Sequence, residues 1–226
     1  MSTAILSLDN VSRSFGDGDA QVTALRNATF EVNSGELVAL IGPSGSGKST
    51  LLSIAGALLK PSQGEVKLAG DDISNLNQAQ RTRLRLERIG FIFQASNLIS
   101  FLTGDEQLQF IGNLLGLSEE DSRQRSNRLL EELGMAKRAD HYPEEMSGGE
   151  RQRIAIARAL MNEPQIILAD EPTASLDTQR AQQVVKLLAD EVHQRDTAGI
   201  LVTHDERLLD VCDRVLRITD GEVVEA

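Results

Sequence analysis

The sequence predicts an α/β fold with a mostly parallel central sheet, an N-terminal antiparallel β part and an inserted α-helical lobe. Two continuous apolar runs, 166–169 and 199–203, are typical of strands buried on both faces of a parallel sheet. The first third of the chain contains short strand-prone segments around a glycine-rich loop, whereas residues from about 78 to 160 are mostly helical in pattern. This order of strands, helices and strands predicts one domain over residues 1–226.

Local sequence signals locate the individual elements along the chain. Predicted strands in the first third are 4–11, 24–32, 37–41 and 64–70, with a Gly/Asp-rich turn at 16–19. Ser118 precedes an acidic first turn, and Gly134 ends that helix. Asp177 is a capping residue for a helix with one apolar stripe. Asp220-Gly221 predicts a hairpin between the last two strands.

The glycine-rich loop fits the spacing G-x-x-x-x-G-K-[ST] of a phosphate-binding loop. An apolar strand precedes the loop and a helix-prone run, 51–59, follows it, which is the context that this motif requires. Lys48 can reach the β and γ phosphates of a nucleotide, and the Ser49 hydroxyl can bind Mg²⁺. A loop that only turns the chain is the alternative. The residues expected to bind the nucleotide here are Gly42, Ser44, Gly45, Ser46, Gly47, Lys48, Ser49 and Thr50.

Composition limits the classes of function. The net charge of -11 argues against nucleic acid as a partner, and the one basic cluster, within 81–88, has the spacing of a solvated helix. The single cysteine, Cys212, excludes an internal disulfide and fits a reducing compartment. We expect no signal peptide in 1–6. No apolar run approaches the ~20 residues that span a bilayer, so another chain would supply any membrane spans.

Two acidic residues follow the apolar run 166–169. The carboxyl end of a buried parallel strand is where α/β proteins position ligand groups. Asp170 can hold Mg²⁺ beside the phosphates, and the adjacent Glu171 is free to polarise an attacking water. An apolar run that ends in Asp-Glu is a weak signal alone, but the phosphate loop supplies a ligand that needs both a metal and a base.

A second candidate anion site begins at Ser147. Ser147 and Glu150 have the spacing of a capping box at the start of a helix. Gly148 and Gly149 nevertheless occupy its first turn, where glycine lowers helix stability. These glycines make sense if a ligand approaches the backbone N–H groups at this helix N-terminus.

Residues 146–153 resemble the signature motif of the ATP-binding-cassette (ABC) ATPases, and the resemblance covers nearly the whole chain. Gln94 matches the glutamine loop of that family, Asp177 its aspartate loop and His204 its switch histidine. Phe15 stands where the family has an aromatic residue that stacks on adenine, although it could also be a core residue. Two departures are small: Met146 replaces the usual Leu, and Glu150 stands where many members have Gln.

The resemblance implies an enzyme that hydrolyses ATP to ADP and phosphate with Mg²⁺ and that works as a dimer of two copies. Each ATP would lie between one copy's phosphate loop and the Ser147, Gly148, Gly149 and Glu150 segment of the other. Glu171 would be the general base, His204 would hold the γ-phosphate, and Asp177 would act across the dimer interface. Gln94 would contact Mg²⁺ and water and report nucleotide occupancy to a membrane partner.

The resemblance also divides the chain into two lobes. Residues from about 1–94 and 161–226 would form the catalytic core lobe, and about 95–160 the helical lobe. The partner would be an integral membrane permease, which would hold the protein at the cytoplasmic face of the cell membrane. Neither nucleic acid nor direct contact with the cargo is expected.

The likeness is strongest to the macrolide-export and lipoprotein-release group, and within it to the ATPase of Gram-positive heme exporters. The segments that carry it are 88–98, 98–108 and 167–177. Heme export is therefore the function expected. The alternatives are lipoprotein, macrolide or peptide transport, or mechanotransmission to cell-wall hydrolases by the same ATPase.

The segment 98–115 is more apolar than one helical face requires. The residues that form this apolar patch are Leu98, Ile99, Phe101, Leu102, Phe110, Ile111, Leu114 and Leu115. Part of this patch is interpreted as a socket for a cytoplasmic helix of the permease, and local core is the alternative.

Overall fold

The computed structural model describes residues 4–16 and 21–226, which contain ten strands and six α-helices. The strands are β1 (Ala4–Phe15), β2 (Val22–Asn33), β3 (Leu37–Ile41), β4 (Gln63–Leu68), β5 (Asp71–Asp72), β6 (Ile89–Ile92), β7 (Ile166–Asp170), β8 (Ala198–Val202), β9 (Arg214–Thr219) and β10 (Glu222–Glu225). The helices are α1 (Lys48–Ala55), α2 (Gln78–Arg88), α3 (Gly104–Leu114), α4 (Glu119–Glu132), α5 (Gly148–Leu160) and α6 (Thr178–Gln194). Most of the turn expected at 16–19, and the first three residues of the segment expected to lack a signal peptide, lie outside the described residues.

The strands form two sheets, as the sequence predicts. The first is antiparallel, with the order β2-β1-β4-β5, and the second has the order β10-β9-β3-β8-β7-β6. In the second sheet all neighbours are parallel except the C-terminal hairpin of β9 and β10. The strands β3, β7 and β8 are almost entirely buried, which explains their continuous apolar sequences. The expected α/β fold with an antiparallel β part is therefore confirmed.

β1 extends four residues beyond the segment predicted from its alternation, because a bulge interrupts the period of two. Leu6, Leu8 and Val11 are all buried, so the core-facing positions are first two and then three residues apart. Asn10 has a φ of 51°, and the register with β2 shifts between Leu8 and Val11. The bulge keeps the inward face of the strand continuous and carries β1 on to Phe15.

The region expected to be mostly helical also contains a strand, β6, which pairs in parallel with β7. Its four residues are too few to show a periodicity that separates a strand from a helix. Gly90 in β6 lies close to α5: an added Cβ would be 2.5 Å from the Ala159 carbonyl oxygen. The helices α3, α4 and α5 are inserted between β6 and β7, and α5 packs directly on β6.

Two arginines of the basic cluster in α2 donate hydrogen bonds to carbonyl groups just after α1. The Arg81 guanidinium donates to the Leu58 carbonyl at 3.0 Å, and that of Arg85 donates to the Ala57 carbonyl at 2.9 Å. These cations satisfy carbonyl groups that follow the last turn of α1. The cluster is therefore only partly a solvated helix face.

Within the described ranges, none of the helices combines the length and the apolar character that crossing a bilayer requires.

Candidate functional site

The phosphate loop connects β3 to α1 and is pressed against two neighbouring strands. Gly47, at the N-terminus of α1, has a φ of 110°, and a Cβ on it would be 2.3 Å from the Ala24 carbonyl oxygen. A Cβ on Gly42 would be 2.2 Å from the carbonyl oxygen of Ile218. Only glycine fits these two positions, so the fold itself fixes the path of the loop.

The loop holds a cation and a hydroxyl group ready for a ligand. The Lys48 amino group donates to the carbonyl oxygens of Gly42 and Pro43, both at 2.8 Å. Among the described residues, the Ser46 hydroxyl is a buried polar group without a hydrogen-bond partner. Unpaired buried polar groups are rare in folded proteins, and a bound phosphate would supply acceptors for this hydroxyl. Exposed members of the loop are Ser44, Gly45 and Ser49, and Thr50 is half-buried.

Asp170 lies at the carboxyl end of β7, next to the phosphate loop. Burial raises the pKa of its carboxyl group, and the neighbouring charge of Glu171 raises it further. A hydrogen bond from Ser49 and the charge of Lys48 act in the opposite direction. The site therefore brings together carboxylate and hydroxyl oxygens that would gain from a nearby cation.

These oxygen donors fit Mg²⁺. A hydroxyl and a carboxylate are hard ligands, and Mg²⁺ commonly takes only one or two protein oxygens and completes its shell with phosphates and water. In residues 4–16 and 21–226, no group of three or more His, Cys, Asp or Glu residues forms a metal cluster. The donor set matches a metal held jointly by Ser49, Asp170 and a nucleotide.

Glu171 and His204 face each other where β7 and β8 end. The distance between Glu171 Oε2 and His204 Nδ1 is 3.4 Å. Glu171 has a φ of 45°, in the left-handed region that is uncommon for glutamate, and its N–H donates to the Val202 carbonyl at 3.0 Å. This turn of the backbone ends β7 and brings the Glu171 carboxylate to His204, while its charge still acts on Asp170.

The segment from Ser147 to Glu150 starts α5 as a reciprocal capping box. The Glu150 N–H donates to Ser147 Oγ at 3.3 Å, and the Ser147 N–H donates to Glu150 Oε2 at 2.7 Å. That backbone hydrogen bond is the main reason that the pKa of Glu150 is lowered to about 2, and Arg138 contributes to the shift. Glu150 is therefore ionised at the N-terminus of this helix.

The two glycines of this segment are not required by the chain's own backbone. Gly148 and Gly149 occupy the regular first turn of α5. A Cβ on Gly149 would come no nearer than 3.8 Å to the Arg180 side chain, and one on Gly148 would be 3.2 Å from a methyl group of Leu176. Glycine at 149 is thus unexplained within one chain, which favours close approach by a ligand from outside.

Gln94 is exposed, two residues after the end of β6, in a loop that α5 holds in place. The Gln152 side-chain amide donates to the Phe93 carbonyl at 3.3 Å. The Arg158 guanidinium donates to the carbonyl oxygens of Ser96 and Asn97 at 2.9 and 2.7 Å. Neither Gln152 nor Arg158 was among the site residues predicted from the sequence. A polar residue at 152 on a helix face shared with Ile156 and Ala159 could have indicated a buried partner.

Asp177 is the N-cap of α6, where its carboxylate accepts from the Arg180 N–H at 3.0 Å. The Arg207 guanidinium bonds the hydroxyl of the next residue, Thr178, at 3.2 Å and pairs with Asp205 at 2.7 Å. This bridge connects the start of α6 to the loop that follows His204. No motif in the sequence marks Arg207 as part of the site.

Phe15 ends β1 and is 39% exposed, which leaves part of its ring accessible. The Arg13 guanidinium lies 4.7 Å from the ring centre, in a cation–π contact. The partial exposure of Phe15 fits a stacking surface better than a core position.

The predicted site residues thus fall into two groups in one chain. The phosphate loop, Asp170, Glu171 and His204 meet where β3, β7 and β8 end. The segment 147–150 instead has its near neighbours in Leu176, Arg180 and Arg138, none of which belongs to the phosphate loop.

Residues 25–174 match the family model described as "ABC transporter". The chain is 49% identical to the "Putative hemin import ATP-binding protein HrtA" of Staphylococcus haemolyticus, over 96% of this chain and 98% of the relative. A solved structure of the ATP-binding cassette MJ0796, described as a dimeric post-hydrolysis state bound to ADP and Pi, has a TM-score of 0.86 and 36% identity. That match covers 97% of this chain and 98% of the MJ0796 chain.

A second solved structure, cbiO1 from Clostridium perfringens, is described as part of the ABC transporter complex cbiONQ. It has a TM-score of 0.89 and 29% sequence identity, and the match covers 98% of this chain and 87% of cbiO1. The two structures resemble this chain along almost its whole length.

Proposed function

This chain belongs to the ABC transporter family and is an ABC-type ATPase subunit, and from that premise we propose that it dimerises around ATP and powers heme transport by a membrane permease. The observation that carries ATP binding and hydrolysis in this proposal is the meeting of Lys48, Asp170, Glu171 and His204 at the carboxyl ends of three parallel strands. This arrangement combines a cation for phosphates, metal ligands and a base beside a second polar group.

In the proposed catalytic site, the phosphate loop binds the β and γ phosphates and Phe15 stacks on the adenine ring. Ser49 and Asp170, with Gln94, would hold Mg²⁺, which neutralises phosphate charge when it is bound. Glu171 would accept the proton of the attacking water, and His204, whose Nδ1 lies 3.4 Å from Glu171 Oε2, would bond the γ-phosphate.

In the proposed dimer, Ser147, Gly148, Gly149 and Glu150 of one copy cover the ATP held by the other. A Cβ at Gly149 would make only an ordinary contact, 3.8 Å from the Arg180 side chain, so the chain itself does not require glycine there. This observation and the N–H groups of the first turn of α5 support the arrangement. The similarity to MJ0796, whose solved structure is described as dimeric, supports it as well. Asp177 caps α6 beside this surface and would contact the second copy.

We further propose that residues 1–94 and 161–226 act as a catalytic lobe and 95–160 as a helical lobe that binds the permease. A groove of about 420 Å³ lies where α2, α3 and α5 meet, and Phe110, Leu58 and Ile99 line it. Phe101, which is 76% exposed, and Leu114 add apolar surface in the same segment, whereas Leu108 is fully buried. Among the patch residues, Leu98 and Ile111 are partly buried against the core, so the patch 98–115 contains both half-buried and exposed apolar residues.

The proposed occupant of the groove is a cytoplasmic helix of the permease. An amphipathic helix in an apolar groove is a common recognition mode, and the exposed apolar residues provide contact area. The loop that bears Gln94 borders this groove, since Phe93 and Asn97 also line it. Contact here would connect permease movement to the catalytic site.

Phe101→Glu is expected to weaken permease binding by about 10-fold or more, because it introduces a charge into an apolar interface. ATP hydrolysis by the isolated subunit should stay within about twofold of the parent, since the Phe101 side chain is mostly exposed in the folded chain. Co-purification with the permease and ATPase assays would measure both. The matched control is Val224→Glu, which changes an exposed valine on β10. Unfolding of the Phe101→Glu subunit would show that the patch is core.

The relative from Staphylococcus haemolyticus is named for hemin import, and its 49% identity over nearly both chains supports hemin as the cargo. The direction that we propose is export, from the resemblance of segments such as 98–108, whereas the name of that relative says import. The protein would act at the cytoplasmic face of the membrane, bound to the permease. The cargo would contact the permease and not this subunit.

The test reconstitutes this subunit with its membrane permease in proteoliposomes. The ATPase rate of that complex is measured while hemin is titrated. Dose-dependent stimulation that is absent from the Glu171→Gln complex is the expected result. Hemin accumulation inside vesicles whose ATPase faces outward would establish export, and its depletion would establish import. An ATPase rate that does not change with hemin would overturn the cargo proposal. It would favour lipoproteins, macrolides or peptides as the cargo, or cell-wall hydrolases as the partner.

A further inference from the structure

We propose that Arg138 is a positioning residue that neutralises Glu150, so that the segment 147–150 can accept the γ-phosphate of an ATP bound by a second copy. The inference rests on the ATP-bound dimer proposed above. It concerns a feature of this chain, in which a carboxylate stands at position 150 beside the surface that would receive the phosphate.

The contact between Arg138 and Glu150 is direct. Arg138 Nε donates to Glu150 Oε1 at 2.7 Å. The other carboxylate oxygen, Oε2, accepts the N–H of Ser147 at 2.7 Å. The Glu150 carboxylate thus connects Arg138, which lies between α4 and α5, to Ser147, the first residue of the capping box. Both carboxylate oxygens have defined partners.

The negative charge at Glu150 is permanent at physiological pH, because its pKa is about 2. A triphosphate that approaches the adjacent N–H groups would meet this charge, and like charges at short distance repel each other strongly where water is excluded. The N-terminus of α5 contributes partial positive charge, and the Arg138 guanidinium contributes a full one. With Arg138 present, the pair is neutral and the helix end remains attractive to an anion.

Two other arginines near the segment are occupied elsewhere. The Arg151 guanidinium donates to the Pro143 carbonyl at 3.4 Å and to the Met146 carbonyl. Arg180 pairs with the Asp177 carboxylate at 3.3 Å. Within the part of the chain that the structure describes, the ion pair of Glu150 is the one with Arg138.

The backbone around Arg138 is fixed to the start of α3. The Asp105 N–H donates to the Ala139 carbonyl at 2.8 Å, and the Gly104 N–H donates to that of His141 at 3.0 Å. A Cβ on Gly104 would be 2.9 Å from the Arg138 carbonyl oxygen, so the two segments are in close contact. The Arg138 side chain therefore starts from a well-defined position, which suits a positioning role.

The test is a double-mutant cycle of Arg138→Met and Glu150→Gln in chains that carry Glu171→Gln to prevent hydrolysis. ATP-dependent dimer formation is measured by light scattering. Arg138→Met is expected to raise the ATP concentration for half-maximal dimerisation about tenfold while Glu150 is present. In the Glu150→Gln background, where the amide still accepts the Ser147 N–H, the same change should raise it less than about threefold. Arg138→Lys, which keeps the charge, should recover most of the loss.

The alternative is that Arg138 only holds the helices together. Arg138→Met would then have the same effect in both backgrounds, with a parallel fall in the thermal midpoint, and the proposal would be overturned. Arg128→Met is the matched control, because Arg128 also forms ion pairs on the inserted helices, with Glu132 and Glu163 at 3.8 and 3.6 Å. It should leave dimerisation within about twofold.

The outcomes also separate this inference from the dimer proposal. If the parent Glu171→Gln chain stays monomeric at saturating ATP, the dimer proposal fails and the role of Arg138 fails with it. If the parent dimerises and Arg138→Met dimerises equally well, the role of Arg138 alone is wrong.

Discussion

Glu171→Gln is expected to lower the ATP hydrolysis rate by about 10²- to 10⁴-fold, the usual contribution of a general base. The amide has nearly the shape of the carboxylate but cannot take a proton from the attacking water. Gln should also keep the contact near His204, which the carboxylate makes at 3.4 Å. The phosphate loop is unchanged, so ATP should still bind, and the dimer should persist because it cannot leave the ATP-bound state.

Steady-state phosphate release would measure the rate, and size-exclusion chromatography with ATP would measure the dimer. Glu163→Gln is a closely matched control, since Glu163 is exposed and has a φ of 48°, almost the same backbone conformation as Glu171 at 45°. The control should retain the parent rate within about twofold. A Glu171→Gln chain that kept more than a third of its rate would exclude Glu171 as the base.

The parts of the fold that the sequence predicts are those whose signal is local. The phosphate loop, the strand before it and the capping box at Ser147 each depend on residues within a few positions of one another. Ile166–Asp170 is predictable because burial on both faces leaves a continuous apolar run. β6 was not predicted because it is only four residues long. The end of β1 was not predicted because the bulge at Asn10 breaks the alternation of the strand.

The connections between the functional segments could not be predicted, because they join residues far apart in the chain. Gln152 reaches the Phe93 carbonyl across 59 positions, and Arg158 reaches that of Asn97 across 61. No periodicity marks such pairs, and the helix face of Gln152 gives only a weak signal. The positive φ of Glu171 is likewise set by how β7 and β8 end together, not by its immediate sequence. The positions of the catalytic groups are therefore set by tertiary packing and not by the local sequence.

Lys48→Ala is expected to weaken ATP binding by about 10- to 100-fold, which corresponds to the ~1.5–3 kcal/mol of a charge-assisted hydrogen bond. Its amino group is held by the carbonyl oxygens of Gly42 and Pro43 at 2.8 Å, so it is already directed into the loop before a nucleotide arrives. Alanine removes this charge and takes the Lys48 donor away from the Gly42 carbonyl, which also loosens the path of the loop, whereas the Pro43 carbonyl still accepts the Ser46 N–H at 3.3 Å.

Isothermal titration with a non-hydrolysable ATP analogue would measure this loss. Lys67→Ala, which removes a half-exposed lysine of β4, is the control and should bind with the parent affinity. The two variants should differ clearly. The Glu171→Gln chain should bind ATP without hydrolysing it, and the Lys48→Ala chain should fail to bind ATP at the same concentration. If Lys48→Ala bound the analogue as the parent does but hydrolysed ATP slowly, Lys48 would act on the transition state alone, and the nucleotide would owe its affinity to the backbone N–H groups of the loop and to Phe15.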